Sequence, residues 1–135
     1  MNRMTEPLPA TDKTQSKLTS DNAQPSIYNR DCPSRFLLAR IGDKWTAIIL
    51  GKLIAHPVRF GALKRECDGI SQKMLTQSLR NLERDGFISR KILNPKPLQV
   101  EYSITALGSE LFGLLEPLID WVHNNYLAVI ENHGT

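Results

Sequence analysis

Gly86 is the position that most constrains how this chain can fold. Before it, Leu75, Leu79 and Leu82 recur at helical spacing behind Ser71, a capping residue. After it the period becomes that of strands, with Ile, Val and Tyr alternating with Ser, Lys, Arg and Glu over Phe87 to Leu93 and Gln99 to Ile104. Asn94, Pro95, Lys96 and Pro97 separate the two runs. Two prolines cannot join a strand ladder, so these four residues are expected to form a stiff loop and the runs a hairpin with basic residues near its tip. A chain of 135 residues with 41% hydrophobic content fills one core, which argues against a multi-domain enzyme.

Upstream signals place three more helices. Pro33 suits the first turn of a short helix through Phe36, Leu37 and Ile41, broken at Gly42. Asp43 is placed to cap a second, whose apolar face reads Trp45, Ile48, Ile49 and Leu53 and which His56 and Pro57 end. A third runs from Phe60 to Cys67, with Phe60, Leu63 and Cys67 on one side and Lys64 and Arg65 on another, and stops at Asp68 and Gly69. The fourth, from the Ser71 cap to about Asp85, buries its leucines and carries Met74 at the margin. Thr105 caps a last helix expected to reach roughly Ile130 if Pro117 only kinks it; Gly113, four residues earlier, eases the crowding by the proline ring. Met1 to Asp31 holds Pro7, Pro9, Pro25 and many polar residues without a period, and reads as a disordered tail preceding a domain over residues 32–135.

The net charge of +3 points to no partner by itself, but its distribution does. Cys32 to Glu101 carries thirteen basic and six acidic residues, whereas Tyr102 to Thr135 carries no basic and four acidic ones. A short helix, a glycine turn, a polar-faced helix and a basic hairpin form the order of a winged helix-turn-helix. The fold expected is mainly α (α+β), with a two-stranded wing and a long C-terminal dimerisation helix. The DNA-facing candidates are Ser71, Gln72, Lys73, Thr76, Gln77, Arg80 and Arg84 on the fourth helix, with Arg90, Lys91 and Lys96 on the hairpin. Gln, Lys and Arg bond base edges, and Ser and Thr reach phosphates. Taken alone, the fourth helix reads first as a solvated amphipathic surface. The basic hairpin and the charge split turn the reading toward double-stranded promoter DNA, with the wing on an adjacent backbone or minor groove.

Four marks, in order, carry a resemblance to a known family: the Cys-Pro opening at Cys32, Gly-Asp-Lys-Trp from Gly42, Ile-Ser-Gln-Lys-Met-Leu-Thr from Ile70, and Val-Glu-Tyr-Ser-Ile-Thr-Ala-Leu-Gly from Val100. From Cys32 to about Trp121 the chain resembles the HxlR-type winged-helix transcriptional regulators, relatives of the MarR group. The resemblance implies a homodimeric DNA-binding regulator, a repressor, whose fourth helix enters the major groove. It also implies that the cysteine at the opening position, here Cys32, is a switch, as it is in several members.

Independently of the resemblance, the last helix carries more apolar width than one domain needs. Leu107, Leu111, Leu114, Leu118 and Trp121 form one stripe, and Phe112, Leu115, Ile119, Val122 and Tyr126 another. Leu111, Leu114, Leu115, Leu118, Trp121 and Val122 are the expected dimer contacts, and a two-fold dimer would present two reading helices to a palindromic site. Cys32, with Arg30 and Arg35 beside it and a helix start behind it, is a candidate thiolate sensor of oxidants or electrophiles, or else an ordinary thiol. Cys67 reads as a small core residue. His56, His123 and His133 show no metal spacing, and no phosphate loop, nucleophile elbow or paired carboxylates appear, so neither an enzyme nor a cofactor is expected. Two cysteines and the lack of a membrane-length apolar run point to a cytoplasmic protein with no membrane partner. Two alternatives stand beside a thiol switch: a non-covalent small-molecule effector in a pocket between the second and last helices, and a winged-helix interaction module without specific DNA binding.

Overall fold

The structure, a computed structural model, describes residues 26–134, so the expected disordered tail lies, up to residue 25, outside the described residues. The chain divides between Gly42 and Asp43 into two compact units. The first contains turns over 27–31 and helix α1 (Pro33–Ile41), entered through an extended Cys32 and closed at Gly42, whose N–H bonds the Leu38 carbonyl. Phe36, Leu37 and Leu38 are exposed on α1, and the Arg40 guanidinium lies over the Phe36 ring at 5.3 Å.

The second unit runs α2 (Lys44–Leu53), β1 (Val58–Arg59), α3 (Phe60–Glu66), α4 (Gln72–Arg84), β2 (Ile88–Pro95), β3 (Leu98–Ile104) and α5 (Ala106–Glu131), and ends in a 3-10 turn, Asn132–Gly134. This is the winged helix-turn-helix order. Three helix starts use the capping residues the sequence supplies: Asp43 Oδ1 accepts from Trp45 N at 2.8 Å, Ser71 Oγ from Met74 N at 3.0 Å and Thr105 Oγ1 from Gly108 N at 3.0 Å. α5 continues unbroken through Pro117.

The core is built from Ile49, Leu50 and Leu53 of α2, Leu63 of α3 and Leu75, Leu79 and Leu82 of α4, closed by Phe87, Ile88, Phe112 and Leu115. Each such side chain contributes roughly 1.5–3 kcal/mol by leaving water. α2 is turned from its expected face. Thr46, Ile49, Leu50 and Leu53 are buried while Ile48 is exposed, because these four fall at i, i+3, i+4 and i+7 on one helical stripe and Trp45 and Ile48 lie beside it. Cys67 is buried with Leu63, as expected, but Phe60 is only half-buried.

The hairpin belongs to a three-stranded antiparallel sheet of order β1-β3-β2. The two-residue β1, which pairs Val58 with Tyr102 and Arg59 with Glu101, was not foreseen because a strand so short has no period. The strands also run further toward the tip than expected. Pro95 ends β2 opposite Leu98, leaving Lys96 and Pro97 as the turn, with Lys96 N bonded to Asn94 Oδ1 at 3.1 Å. A proline is tolerated there because β2 is an edge strand, and the register slips between Ile92 and Asn94.

One junction ties the end of α4 to the start of α5. Gly86, at φ +89°, turns the chain out of α4; its carbonyl accepts the Thr105 hydroxyl at 2.6 Å, and Thr105 N bonds the Phe87 carbonyl at 3.0 Å. Gly108 then lets the first turn of α5 lie against this backbone: a Cβ there would collide with the Phe87 carbonyl oxygen. Gly108→Ala should therefore lower the unfolding free energy by more than about 2 kcal/mol, and Thr105→Val, which removes both a cap and the bond to Gly86, by about 1–2 kcal/mol in urea titrations. Wild-type stability in Gly108→Ala would show that α5 does not dock here.

Candidate nucleic-acid interface

α4 is held by its leucines, and its remaining faces are left to solvent. Gly69, at φ +89°, makes the tight turn from α3, and Ile70 N bonds the Cys67 carbonyl at 3.1 Å. With Leu75, Leu79 and Leu82 inward, Ser71, Gln72, Lys73, Gln77, Arg80 and Arg84 are exposed and Thr76 is half-buried. Gln77 Nε2 donates to Asn81 Oδ1 at 3.3 Å, one turn on. A helix of 13 residues is roughly 20 Å long, so Arg84 stands at the opposite end from the Ser71 cap.

The hairpin brings only part of its basic set toward α4. Arg90 and Lys91 are both exposed on β2, but neighbouring strand residues take opposite faces. Thr76, Arg80 and Arg90 line one cleft of about 460 Å³ between α4 and the hairpin, with Glu83, Leu98, Val100, Tyr102 and Phe60 completing it. Lys91 lies opposite Glu101, which also pairs with Arg59 of β1, and Lys96 stands in the exposed turn.

Tyr102, missed in the sequence, sits opposite Arg90 in the register and is 7% exposed. Burial pushes its phenol above the ordinary tyrosine range, while the Arg90 guanidinium, which hydrogen-bonds it, pulls the other way; Glu83 adds to the rise and Arg80 opposes it. The Tyr102–Arg90 partnership depends on strand register, which the proline turn hid.

α5 supplies an apolar surface that its own unit leaves uncovered. Gly108, Phe112 and Leu115 are its buried residues, and from Glu116 to Glu131 none is buried. Leu114 is 72% exposed, Leu118 56% and Trp121 57%, with Val122 exposed and Leu111 half-buried. Leu115 departs from the expectation that grouped it with these residues. At 6% exposure it fills the unit's own core, because it follows Gly108 by seven residues on the stripe that docks against Phe87.

Cys32 is a free, half-buried thiol at the cap of α1, and its Sγ lies 3.0 Å from Ser34 Oγ. The Ser34 hydroxyl, then the Ser34 backbone, hold its pKa below the usual thiol range, helped by backbone groups of Ser26 and Arg35 and opposed by slight desolvation. The cause is thus hydrogen bonding rather than the Arg30 and Arg35 charges the sequence suggested. Cys67 behaves oppositely: burial pushes its thiol up, Lys52 opposes and Glu66 adds. Among the described residues no group of His, Cys, Asp and Glu is placed to hold a metal ion, and no helix is long and apolar enough to cross a membrane.

A profile of the HxlR-like helix-turn-helix family matches residues 40–129. The uncharacterized HTH-type transcriptional regulator YtfH of Escherichia coli (strain K12) is 36% identical over 117 residues, covering 87% of this chain and 93% of that protein. The solved structure of ytfH from Salmonella typhimurium superposes with a TM-score of 0.76 at 36% identity, covering 83% of this chain and all of that one. The redox regulator HypR in its oxidized form superposes with a TM-score of 0.62 at 38% identity, covering 70% of this chain and 97% of HypR.

The two thiols should separate chemically. Under native conditions iodoacetamide is expected to alkylate Cys32 with a half-maximal rate below the free-thiol pKa of about 8.5, and Ser34→Ala to move that midpoint up. Cys67 should stay unmodified until the protein is unfolded. Mass spectrometry of the digested protein reads both sites, and equal rates at Cys32 and Cys67 would contradict the assignment.

Proposed function

The chain belongs to the HxlR-like helix-turn-helix family of transcriptional regulators, and we propose that it acts as a homodimeric repressor that reads a palindromic promoter site and is released when Cys32 is modified. The observation that carries this reading is the exposed polar and basic side of α4 set beside Arg90 across one cleft. Gln72, Lys73 and Gln77 suit base edges in a major groove, and the N-terminal half of the helix is the part that reaches deepest in helix-turn-helix docking. Arg90, Lys91 and Lys96 suit phosphates, where each contact releases counterions. Acidic α5 would be repelled by DNA. Its exposed Leu114, Leu118, Trp121 and Val122 instead suit a second copy of the chain, which would duplicate α4 about a two-fold axis.

The switch rests on the hydrogen-bonded Cys32 thiol and on the resemblance to HypR, a redox regulator. With a peroxide, the thiolate attacks one oxygen, the O–O bond breaks, and sulfenic acid forms as the other oxygen leaves with the bonding pair and takes up a proton from solvent to become water or an alcohol. With a quinone, sulfur adds to the ring, which keeps the electron pair and takes up a proton. Either product changes the cap of α1, whose exposed Phe36, Leu37 and Leu38 are apolar surface suited to a subunit contact.

Fluorescence anisotropy with the upstream duplex and a scrambled duplex tests the DNA reading. Lys73→Ala and Arg80→Ala should each weaken specific binding by about 1–3 kcal/mol, and Lys96→Ala should weaken both duplexes alike and reduce the salt slope by about 1. Unchanged affinity in both α4 variants would remove α4 as the reading helix. Mild peroxide should release the wild type but leave Cys32→Ser bound; equal release of the two would rule out Cys32 as the switch.

A further inference from the structure

The hairpin has two unlike faces. Leu98, Val100 and Tyr102 alternate onto one face of β3, with Ile92 opposite Val100 and Arg90 opposite Tyr102 on β2. Gln99, Glu101 and Ser103 take the other face, opposite Asn94, Lys91 and Ser89, so its paired positions are polar. Exposure on the apolar face rises toward the tip. Tyr102 is buried and Val100 half-buried, whereas Ile92 is 50% exposed and Leu98 61%. Leu98 and Val100 look toward α4, so this face is turned to the reading helix rather than away from it. From Ile92 to Val100 the one charged residue is Lys96, exposed between the exposed Pro95 and Pro97. A wing that served phosphates alone would gain from further cations here, and two branched aliphatic side chains gain nothing from phosphate oxygens.

We propose that the wing selects sequence as well as holding phosphate: Leu98 and Ile92 lie in the minor groove flanking the segment contacted by α4, and A·T pairs are preferred there. The proposal rests on the reading of α4 as the major-groove helix and adds a second, sequence-dependent contact to it. Minor-groove walls are the carbon faces of deoxyribose, against which apolar side chains pack, and Leu and Ile are among the residues that minor-groove proteins insert. On the groove floor A·T and T·A present acceptors alone, whereas G·C adds the guanine 2-amino group. That group projects into the groove, holds a branched side chain off the floor and, once covered by it, is left without a hydrogen-bond partner. Lys96, beyond the apolar pair, stays with the phosphates at the groove edge.

The test is fluorescence anisotropy of the full chain with a genomic fragment selected for binding, in which single bases are replaced. 2,6-Diaminopurine in place of adenine adds the amino group to the minor groove, and inosine in place of guanine removes it; neither alters the hydrogen-bonding groups of the major-groove edge. At adjacent positions flanking each α4 segment, diaminopurine should weaken wild-type binding by about fivefold or more, and inosine should strengthen it. Leu98→Ala and Leu98→Gln, at an exposed position outside the core, should each bring both effects below about twofold while leaving the salt slope unchanged, since no charge is removed. Lys96→Ala should do the reverse, lowering the slope and keeping the diaminopurine penalty. Replacements without effect throughout a duplex that the wild type binds, or a penalty intact in folded Leu98→Ala, would overturn the proposal; if Lys73→Ala still weakens that duplex, the reading of α4 stands. A smaller sedimentation mass for DNA-free Leu98→Ala than for the wild type would also overturn it, by giving the tip to a second copy of the chain. Failure to select any specifically bound fragment would remove the α4 reading and the wing proposal together.

Discussion

The structure depends first on the close contact between the backbone at Gly86 and Phe87 and the opening turn of α5. The Thr105 hydroxyl serves both sides at once, donating to the Gly86 carbonyl nineteen residues away and accepting from Gly108 N. Gly108 has to lack a side chain for this to happen. Since the hairpin is the chain between these points, the junction closes it into a loop whose two ends are pinned to α4 and α5. The end of α4, the hairpin and the start of α5 are thereby joined by hydrogen bonds at one junction.

That junction joins regions of opposite charge. The basic residues lie on α4, the hairpin and the elements before them, while the chain from Tyr102 onward is acidic. α5 buries one stripe, Gly108, Phe112 and Leu115, beneath the unit and leaves Leu114, Leu118 and Trp121 outward. The unit therefore carries one surface suited to a polyanion and another suited to apolar association. On the proposed dimer, a change in how two α5 helices meet would alter the separation of two α4 helices.

The helices were legible because their caps and stripes are local: Asp43, Ser71 and Thr105 cap where the sequence places them, and Leu75, Leu79 and Leu82 face inward. Errors arose where apolar residues sit on two neighbouring stripes, as with Ile48 on α2, and where an overall apolar width concealed which stripe the unit keeps for itself, as with Leu115. The exposed side chains of α4 could be named from sequence, since they are what the leucine stripe leaves over. The cleft could not. Tyr102 and Arg90 meet through cross-strand register, β1 has two residues and no period, and Pro95 joins the ladder only because β2 is an edge. The cause of the Cys32 shift was equally hidden, because it is set by the Ser34 hydroxyl at 3.0 Å rather than by flanking charge.

Hydroxyl-radical footprinting of the full chain on a genomic fragment selected for binding tests the central claim, that two copies of α4 and the hairpin read DNA together. The account predicts two symmetric protected patches whose centres lie one helical turn apart, about 10–10.5 base pairs, or a multiple of it. The flanking backbone protection should fade in Lys96→Ala. A single patch, or protection that survives removal of both Lys73 and Arg80 side chains, would contradict it.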